Sequence, residues 1–223
     1  MTGRDPDDDP PEFASPVCYA HEFAEDLTPS AERRRADVLR WRKAERPRLI
    51  AARMAIPEAA RAAATAGMIG RLDALLGDVA GKIVSAYWPF RGEPDLRPWM
   101  RRLGDRGARC ALPVVVEKAR PMAFREWRPG DRLEQGIWNI PVPAGGAAVV
   151  PDIVLAPVVG FDRECFRLGH GGGYFDRTLA ALSPRPYAVG IGYALAGIAT
   201  IYPLPHDIPM AAIVTEQETI ALR

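Results

Sequence analysis

The sequence predicts an α/β fold: a single three-layer domain with a largely parallel β-sheet flanked by helices. Two patterns lead to this prediction. Apolar segments of strand length recur along the chain, and helical segments separate them in the first half. A further helical segment follows a glycine-rich stretch at residues 169–173. This alternation is typical of sheets whose parallel strands are joined by helices, and ligands of such sheets bind beyond the carboxyl ends of the strands.

The composition is that of a soluble globular protein. The chain has 223 residues, which fits one large domain or a domain with an extension. Hydrophobic residues make up 48% and charged residues 26%, and the formal net charge is +1. This balance does not favour nucleic acid or a membrane as a partner. No apolar run approaches the roughly 20 residues that a membrane span needs.

The cysteines and the N-terminus favour a cytoplasmic location. Cys18, Cys110 and Cys165 are odd in number and far apart, so they predict neither a disulfide framework nor a metal site. The N-terminus is acidic and rich in proline, unlike a secretory signal. A reducing cytoplasm is the simplest location for such a chain.

Residues 1–28 are predicted to form an N-terminal extension, partly disordered or docked, in front of a domain at residues 29–223. Residues 5–11 consist of aspartate and proline alone, a composition that resists packing. Residues 15–25 are more apolar and are expected to dock on the domain.

Two helices are predicted in the first third of the chain. Ser30 is a suitable N-cap for a basic helix at residues 31–55, in which Pro47 should introduce a kink or mark a fresh helix start. Pro57 fits the first position of a second helix. The apolar face of that second helix carries Ala60, Ala64, Met68, Leu72 and Leu75.

Strands are predicted where short apolar runs are bounded by turn residues. A short helix is predicted at residues 96–103, ended by Gly104 and Gly107. The predicted strands are 83–88, 109–116, 122–127, 153–159, 187–192 and 212–215.

A glycine-rich loop is the strongest functional signal in the chain. It lies between the apolar segment 153–159 and a short helical segment that contains Leu179 and Leu182. Glycines let backbone N–H groups approach a ligand closely, and a helix N-terminus behind them adds partial positive charge. These features predict a phosphate site, although the loop matches neither the P-loop nor the dinucleotide motif. The loop glycines are Gly169, Gly171, Gly172 and Gly173.

Charged residues beside the loop support the phosphate prediction. Arg167 and His170 add positive charge, and Asp176 is placed to hold a metal ion on the phosphates. The alternative is a glycine-rich turn that only connects a strand to a helix, since short glycine motifs often occur without a ligand. The glycines alone favour that alternative, whereas the flanking residues weigh against it.

Five segments together resemble the 5-formyltetrahydrofolate cyclo-ligase family, whose members are also called 5,10-methenyltetrahydrofolate synthetases. The resemblance covers residues 36–216, and its last segment is the most specific. The segments are RKAER at 42–46, YWPFRGE at 87–93, WNIP at 138–141, PVVGFD at 157–162 and RLGHGGGYFD at 167–176.

The resemblance implies a single three-layer α/β domain that uses ATP and Mg²⁺ to convert 5-formyltetrahydrofolate into 5,10-methenyltetrahydrofolate, ADP and phosphate. The expected partners are ATP and a reduced folate, and the expected state is a monomer or a weak homo-oligomer. ATP is needed because a formamide oxygen is a poor leaving group. The protein then mainly positions the two substrates and neutralises phosphate charge.

The resemblance assigns the nucleotide to the first helix and the glycine loop. Among these residues, Arg167, His170 and Tyr174 are also the expected catalytic residues. Without the resemblance, a solvated basic helix face is the better interpretation of residues 42–46. The expected ATP-binding residues are Arg42, Lys43, Arg46, Arg167, Leu168, Gly169, His170, Gly171, Gly172, Gly173, Tyr174 and Phe175.

The resemblance also assigns a folate site. Glu93 is an acceptor suited to the N–H groups of the reduced pterin ring, and Trp88 can pack on that ring. Without the resemblance, Glu93 fits a helix-start carboxylate beside Pro94, and core packing accounts equally well for Met122 and Trp138. The expected substrate-binding residues are Arg46, Trp88, Glu93, Met122, Trp138, His170, Gly171, Gly172, Gly173 and Tyr174.

Asp176 and Asp207 match the two expected Mg²⁺ ligands of the family. Two carboxylates suit Mg²⁺, which takes few protein ligands and keeps water and phosphate oxygens around it. Taken alone, Asp207 fits a turn residue before Pro209.

Three positions depart from the family pattern. Arg42 stands where lysine is usual, His170 where arginine, lysine or another residue is common, and Phe175 where a second tyrosine is usual. An imidazole can be neutral at pH 7, and phenylalanine lacks the hydroxyl. Two alternatives therefore stay open. One is a paralogue that binds nucleotide or folate without efficient turnover, and the other is an ATP-dependent enzyme for a different amide substrate.

Overall fold

The computed structural model describes residues 30–222, so the predicted extension at residues 1–28 lies outside the described residues. The chain divides into two compact units, Met1–Asp37 and Val38–Arg223. The described part of the first unit is the opening of helix α1 (Ala31–Met54). Ser30 caps this helix as predicted, because its hydroxyl accepts the N–H of Arg33 at 3.2 Å.

The two long helices differ from their predictions at the prolines. Helix α1 runs through Pro47 without interruption, so of the two alternatives the fresh helix start is wrong, and the kink stays a prediction. Proline removes one intrahelical hydrogen bond, and the buried packing of Leu49 on the same helix offsets that loss. Helix α2 (Glu58–Leu76) has Pro57 as its N-cap rather than as its first residue.

The middle layer is a seven-stranded sheet in the order β11-β10-β9-β6-β1-β2-β3. Its five inner strands are parallel, and the two edge strands are antiparallel to their neighbours. A largely parallel sheet is therefore confirmed. The strands are β1 (Ile83–Ser85), β2 (Arg109–Val114), β3 (Ala123–Glu126), β6 (Ile153–Pro157), β9 (Tyr187–Ile191), β10 (Ala212–Val214) and β11 (Thr219–Ala221).

Five short strands were not predicted, because two or three residues carry too little alternation to identify a strand. The edge strand β11 is one of them. The other four form two small antiparallel sheets, β4 with β5 and β7 with β8. The glycine loop therefore follows β8 rather than the long strand β6 directly. These four strands are β4 (Leu133–Gln135), β5 (Pro141–Pro143), β7 (Gly160–Phe161) and β8 (Arg167–Leu168).

Alternate residues of the inner strands face two helical layers. Leu155 of β6 packs in the same buried cluster as Met68 of helix α2. Its neighbour Val154 packs instead in the cluster that contains Leu179 of helix α4 (Tyr174–Ala181). Because both faces of the sheet are covered, its inner strands are nearly continuous apolar runs. The three predicted layers are thus present.

The predicted short helix at residues 96–103 is helix α3 (Arg97–Arg101), followed by a 3₁₀ turn at Gly104–Arg106. Gly107 ends this segment in the left-handed conformation, with φ of 71°. Across residues 30–222, the helices are too short or too polar to cross a lipid bilayer.

Candidate ligand-binding cleft

A cleft of about 880 Å³ opens at the carboxyl ends of the central strands. Along the sheet, the order of strands reverses between β1 and β6. At such a switch point the connecting loops leave toward opposite faces of the sheet, and a crevice remains between them. The cleft is lined by residues 87–88, 90–91 and 93 after β1, by residues 115–116 after β2 and by the glycine loop after β8.

The cleft brings together every predicted site residue except Lys43. That lysine is exposed on helix α1 and lies outside the cleft lining. The functional roles of the gathered residues stay predictions, but their proximity is a property of the fold. The predicted residues that line the cleft are Arg42, Arg46, Trp88, Glu93, Met122, Trp138, Asp207 and residues 167–176.

The glycine loop is shaped by two close approaches. Gly171 has φ of 103°, and a Cβ there would lie 3.4 Å from the guanidinium carbon of Arg46. A Cβ at Gly172 would lie 2.8 Å from the ring of Tyr174. The Arg46 Nε donates to the Gly169 carbonyl at 2.8 Å. This hydrogen bond fixes the Arg46 guanidinium beside the backbone of the loop.

Arg46 lies in an electropositive corner of the cleft. Burial lowers the pKa of its guanidinium, and the positive charge of Arg42 lowers it further, while the carboxylate of Asp207 opposes the shift. A partly desolvated cation that faces a second cation interacts strongly with an added anion. Helix α4 begins at Tyr174, immediately after the loop. The corner is therefore suited to phosphate oxygens.

Arg42 and Asp207 form a buried bidentate ion pair. The Arg42 Nη1 and Nη2 donate to the two carboxylate oxygens at 3.1 and 2.6 Å. The same guanidinium also donates to the carbonyls of Ile201 and Tyr202, at 3.0 and 2.8 Å. Burial raises the pKa of Asp207, but the hydrogen bonds from Arg42 and the Leu204 N–H outweigh it and hold that pKa below its ordinary value. Arg42 thus anchors the segment 201–207 to helix α1.

This pairing predicts a pH-dependent contribution to stability. A carboxylate with a depressed pKa in the folded state stabilises the protein above its ordinary pKa, and the contribution disappears as pH falls through the folded-state value. Asp207→Asn should therefore lower Tm at neutral pH, and the difference from wild type should shrink below the ordinary value of 3.8. Thermal melts between about pH 7 and about pH 3 measure this. Asp105→Asn, at an exposed position, is the control. A difference in Tm that does not change with pH would contradict the prediction.

Arg167 and Asp176 form a second ion pair at the base of the loop. The Arg167 Nη1 donates to the Asp176 Oδ1 at 2.9 Å, and the Ile208 N–H donates to the same oxygen at 3.2 Å. The Arg167 guanidinium also lies 5.6 Å over the Phe175 ring. The pair therefore joins β8, helix α4 and the segment that carries Asp207.

The two predicted metal ligands differ in how their oxygens are engaged. Within residues 30–222, the Oδ2 of Asp176 accepts no hydrogen bond, whereas both oxygens of Asp207 accept from Arg42. No group of three or more His, Cys, Asp or Glu residues is clustered as a metal site in this part of the chain. Asp176 fits a Mg²⁺ site completed by phosphate and water, while Asp207 fits one only if Arg42 releases it.

Glu93 and His170 meet in the cleft. Both were predicted to bind the folate, and His170 was also predicted to bind ATP. The His170 Nε2 lies 2.9 Å from the Glu93 Oε1, and the Phe90 N–H donates to the Oε2 at 2.9 Å. The Glu93 side chain is 3% exposed and the His170 side chain 31%. One contact therefore links the predicted pterin acceptor to the predicted phosphate loop.

Aromatic side chains form one wall of the cleft. Trp138 is 56% exposed, and its ring contacts Tyr174 edge to face with centroids 5.6 Å apart. The Arg177 guanidinium lies 5.2 Å over the Tyr174 ring and donates to the Gly172 carbonyl. Trp88 is half-buried and contacts Trp127. Of these, Trp138 presents the largest free aromatic surface to a ligand.

Three arginines in or near the cleft were not predicted as site residues. Arg91 lines the cleft. Arg125 lines the cleft, where its Nη1 donates to the Pro143 carbonyl at 2.9 Å. Arg53 lies behind the cleft lining and is buried beside Glu93. A usable signal existed for Arg53, since it follows Arg42 and Arg46 by eleven and seven residues, spacings that return to the same helix face.

The fold and the cleft together define a class of α/β proteins with a glycine loop and a buried carboxylate at the carboxyl ends of a largely parallel sheet. The matched family model makes the class specific: the chain belongs to the 5-formyltetrahydrofolate cyclo-ligase family, whose model covers residues 38–216. That range agrees with the resemblance read from the motifs.

Relatives and solved structures agree with this assignment. The chain is 31% identical over 187 residues to the 5-formyltetrahydrofolate cyclo-ligase of Mycolicibacterium smegmatis, covering 80% of this chain and 95% of the relative. It is 31% identical over 144 residues to that of Escherichia coli K12, covering 61% and 79%. The 5,10-methenyltetrahydrofolate synthetase structure from Aquifex aeolicus matches with a TM-score of 0.71 and 27% identity, over 82% of this chain and 93% of that one. The Mycoplasma pneumoniae synthetase structure, at 22% identity and a TM-score of 0.64 over 78% and 98%, shares the fold.

Proposed function

We propose that this protein is an ATP- and Mg²⁺-dependent enzyme that converts 5-formyltetrahydrofolate into 5,10-methenyltetrahydrofolate, ADP and phosphate. The observation that carries the proposal is the layout of the cleft. The glycine loop with Arg46 and Arg167 lies at one subsite, and the buried carboxylate of Glu93 lies within hydrogen-bond distance of the same loop. A nucleotide and a folate bound at these subsites would meet at the loop.

The chemistry follows from the weakness of the formamide oxygen as a leaving group. That oxygen attacks the γ-phosphorus of ATP, so that an O–P bond forms while the bond to ADP breaks. N10 of the folate then attacks the formyl carbon and loses its proton, and the C–O bond to phosphate breaks. The protein contributes by aligning the reacting atoms and by neutralising phosphate charge.

The residues of the cleft divide this work. The loop N–H groups and the guanidinium groups of Arg46 and Arg167 would hold the phosphates. Glu93 would accept N–H groups of the pterin ring, and the exposed ring of Trp138 beside Tyr174 would pack on the folate. The His170 Nε2 contacts the Glu93 carboxylate. His170 would therefore have to leave Glu93 before it could reach the transferred phosphate.

A metal ion fits this arrangement through Asp176. When bound, Mg²⁺ supplies positive charge on the phosphate oxygens of ATP. Asp176 would hold it through the Oδ2, while its Oδ1 keeps the hydrogen bonds from Arg167 and Ile208. Asp207 would join only after Arg42 exchanges its carboxylate for phosphate oxygens.

The alternative of a protein that binds without efficient turnover has one specific observation in its favour. In the structure His170 contacts Glu93, so two groups that the reaction needs are engaged with each other. A different amide substrate for the same ATP chemistry is the other alternative. We further propose a cytoplasmic location, a monomer or weak homo-oligomer, and a catalytic domain that begins at residue 29.

One assay tests the proposal against both alternatives. Protein, ATP, MgCl₂ and 5-formyltetrahydrofolate are mixed, and methenyl-folate absorbance and ADP are followed together. We expect equal amounts of both products, with neither formed when folate or ATP is omitted. Folate binding without product would support the binding-only alternative. ADP formation without methenyl-folate, when other formamides are supplied, would support a different substrate.

A further inference from the structure

Arg53 is a buried cation that none of the motifs accounts for. The residue is 4% exposed, its Nε donates to the Arg91 carbonyl at 2.9 Å, and its Nη1 donates to the Val158 carbonyl at 3.4 Å. Its Nη2 is buried and, among residues 30–222, has no hydrogen-bond partner. This nitrogen lies 3.9 Å from the Glu93 Oε1. A buried donor without an acceptor is unfavourable, so a compensating interaction is expected, and Glu93 is its nearest ionic partner.

Arg53 also supports the turn that carries Glu93. The turn is closed on itself, because the Glu93 N–H donates to the Phe90 carbonyl at 3.2 Å and the Phe90 N–H donates to the Glu93 Oε2. Gly92 has φ of 73°, and a Cβ there would meet the Met54 Sδ at 3.1 Å and the Arg53 Cγ at 3.8 Å. The end of helix α1 therefore packs directly under this turn.

Arg53 and Glu93 are oppositely charged side chains, and both are buried. Burial lowers the pKa of the Arg53 guanidinium, while the carboxylate of Glu93 opposes that shift. A buried carboxylate is tolerated as an anion when a cation lies close to it. Arg53 approaches from behind the cleft and does not line it, so the outward side of Glu93 stays available to a ligand once His170 moves.

We infer that Arg53 is a positioning residue for Glu93. It holds the 90–93 turn through the Arg91 carbonyl and places a positive charge behind the carboxylate, so that Glu93 accepts an N–H of the pterin ring as an anion. This inference rests on the proposed function, because it gives Arg53 a role only if Glu93 binds folate. Arg53 itself contacts neither substrate.

The first test is Arg53→Met, which keeps an unbranched apolar side chain and removes the charge. Calorimetric titration should show the Kd for 5-formyltetrahydrofolate raised roughly tenfold to a hundredfold, with the Kd for Mg-ATP changed by less than about twofold. In steady-state assays KM for folate should rise more than kcat falls. Arg48→Met is the matched control, on the same helix with a side chain that is 62% exposed. Equal losses for both ligands would overturn the inference.

A double-mutant cycle with Glu93→Gln separates positioning from general packing. If Arg53 acts through Glu93, adding Arg53→Met to Glu93→Gln should change the folate Kd by less than about twofold, because the interaction is already lost. Losses that multiply would show that Arg53 supports the fold independently and would overturn the inference. If Arg53→Met does not fold, Arg53→Lys is compared with Arg53→Gln. Lysine should bind folate more tightly than glutamine, and equal affinities would contradict the role of the charge.

The same titrations distinguish this inference from the proposed function. Wild-type protein that does not bind 5-formyltetrahydrofolate would overturn the proposed function, and the inference with it. Wild-type protein that binds folate while Arg53→Met binds it equally well would overturn the inference alone.

Discussion

Replacing Asp176 by asparagine is expected to lower kcat roughly a hundredfold or more while leaving the fold intact. Asparagine keeps an oxygen that can accept from Arg167 and the Ile208 N–H. It removes the negative charge and replaces the Oδ2, the oxygen proposed to bind Mg²⁺, by an N–H₂ group that cannot coordinate a cation. The loss should therefore fall on phosphoryl transfer rather than on folding.

Three measurements check the Asp176 prediction. The rate is measured across a range of Mg²⁺ concentrations, ATP binding is measured by calorimetry with and without Mg²⁺, and Tm is measured without ligands. We expect Asp176→Asn to weaken the Mg²⁺-dependent part of ATP binding and to change Tm little. Asp105→Asn, at an exposed position far from the loop in sequence, is the control. Wild-type rates in Asp176→Asn would remove this residue from the reaction.

Replacing Glu93 by glutamine is expected to weaken folate binding roughly tenfold or more, with little effect on ATP binding. In the wild type, the Oε2 is used by the Phe90 N–H and the Oε1 faces His170 and Arg53. The single carbonyl oxygen of glutamine cannot serve both sides. In one orientation the N–H₂ group of glutamine faces the Phe90 N–H, and in the other it faces His170 and Arg53. In either case the acceptor offered to the pterin ring is lost or weakened.

Titration of Glu93→Gln with each ligand separately decides this prediction. The expected outcome is a raised Kd for 5-formyltetrahydrofolate and an unchanged Kd for Mg-ATP. Glu117→Gln is the control, because that carboxylate is 69% exposed and pairs with the nearby Arg120. If ATP binding falls as far as folate binding, Glu93 does not define a folate subsite, and its assignment would have to be withdrawn.

The motifs and the hydrophobic periodicity were sufficient for the fold class and for all the predicted site residues of the cleft except Lys43. Strands β6 and β9 were predictable because four of the five residues in each are buried, which gives one apolar run. The glycine loop and helix α4 were predictable because a backbone that approaches a ligand or a side chain closely needs glycine in place. Both signals come from neighbouring residues, so they can be detected in the sequence alone.

Local signals were not sufficient for the small strands or for Pro47. The hairpin of β7 and β8 has two residues in each strand, so it depends on pairing rather than on propensity. Pro47 is a helix breaker by propensity, but it lies inside helix α1, whose packing through Leu49 holds the helix together across it. In both places tertiary contacts outweigh the preference of the individual residue.

The sequence by itself determined most of the predicted residues that gather in the cleft, with Lys43 the exception. The family motifs and the parallel topology together specify which loops meet at the carboxyl ends of the strands. Only the tertiary structure decided how those residues pair. Arg42 pairs with Asp207, which is 165 residues away in sequence, and His170 contacts Glu93, which is 77 residues away. Arg53 lies behind Glu93, and its spacing from Arg42 and Arg46 marks its helix face but not this partner. Partners so distant in sequence show no spacing pattern, because the distance between their side chains is set by how helix α1 and the loops at the end of the sheet pack against one another.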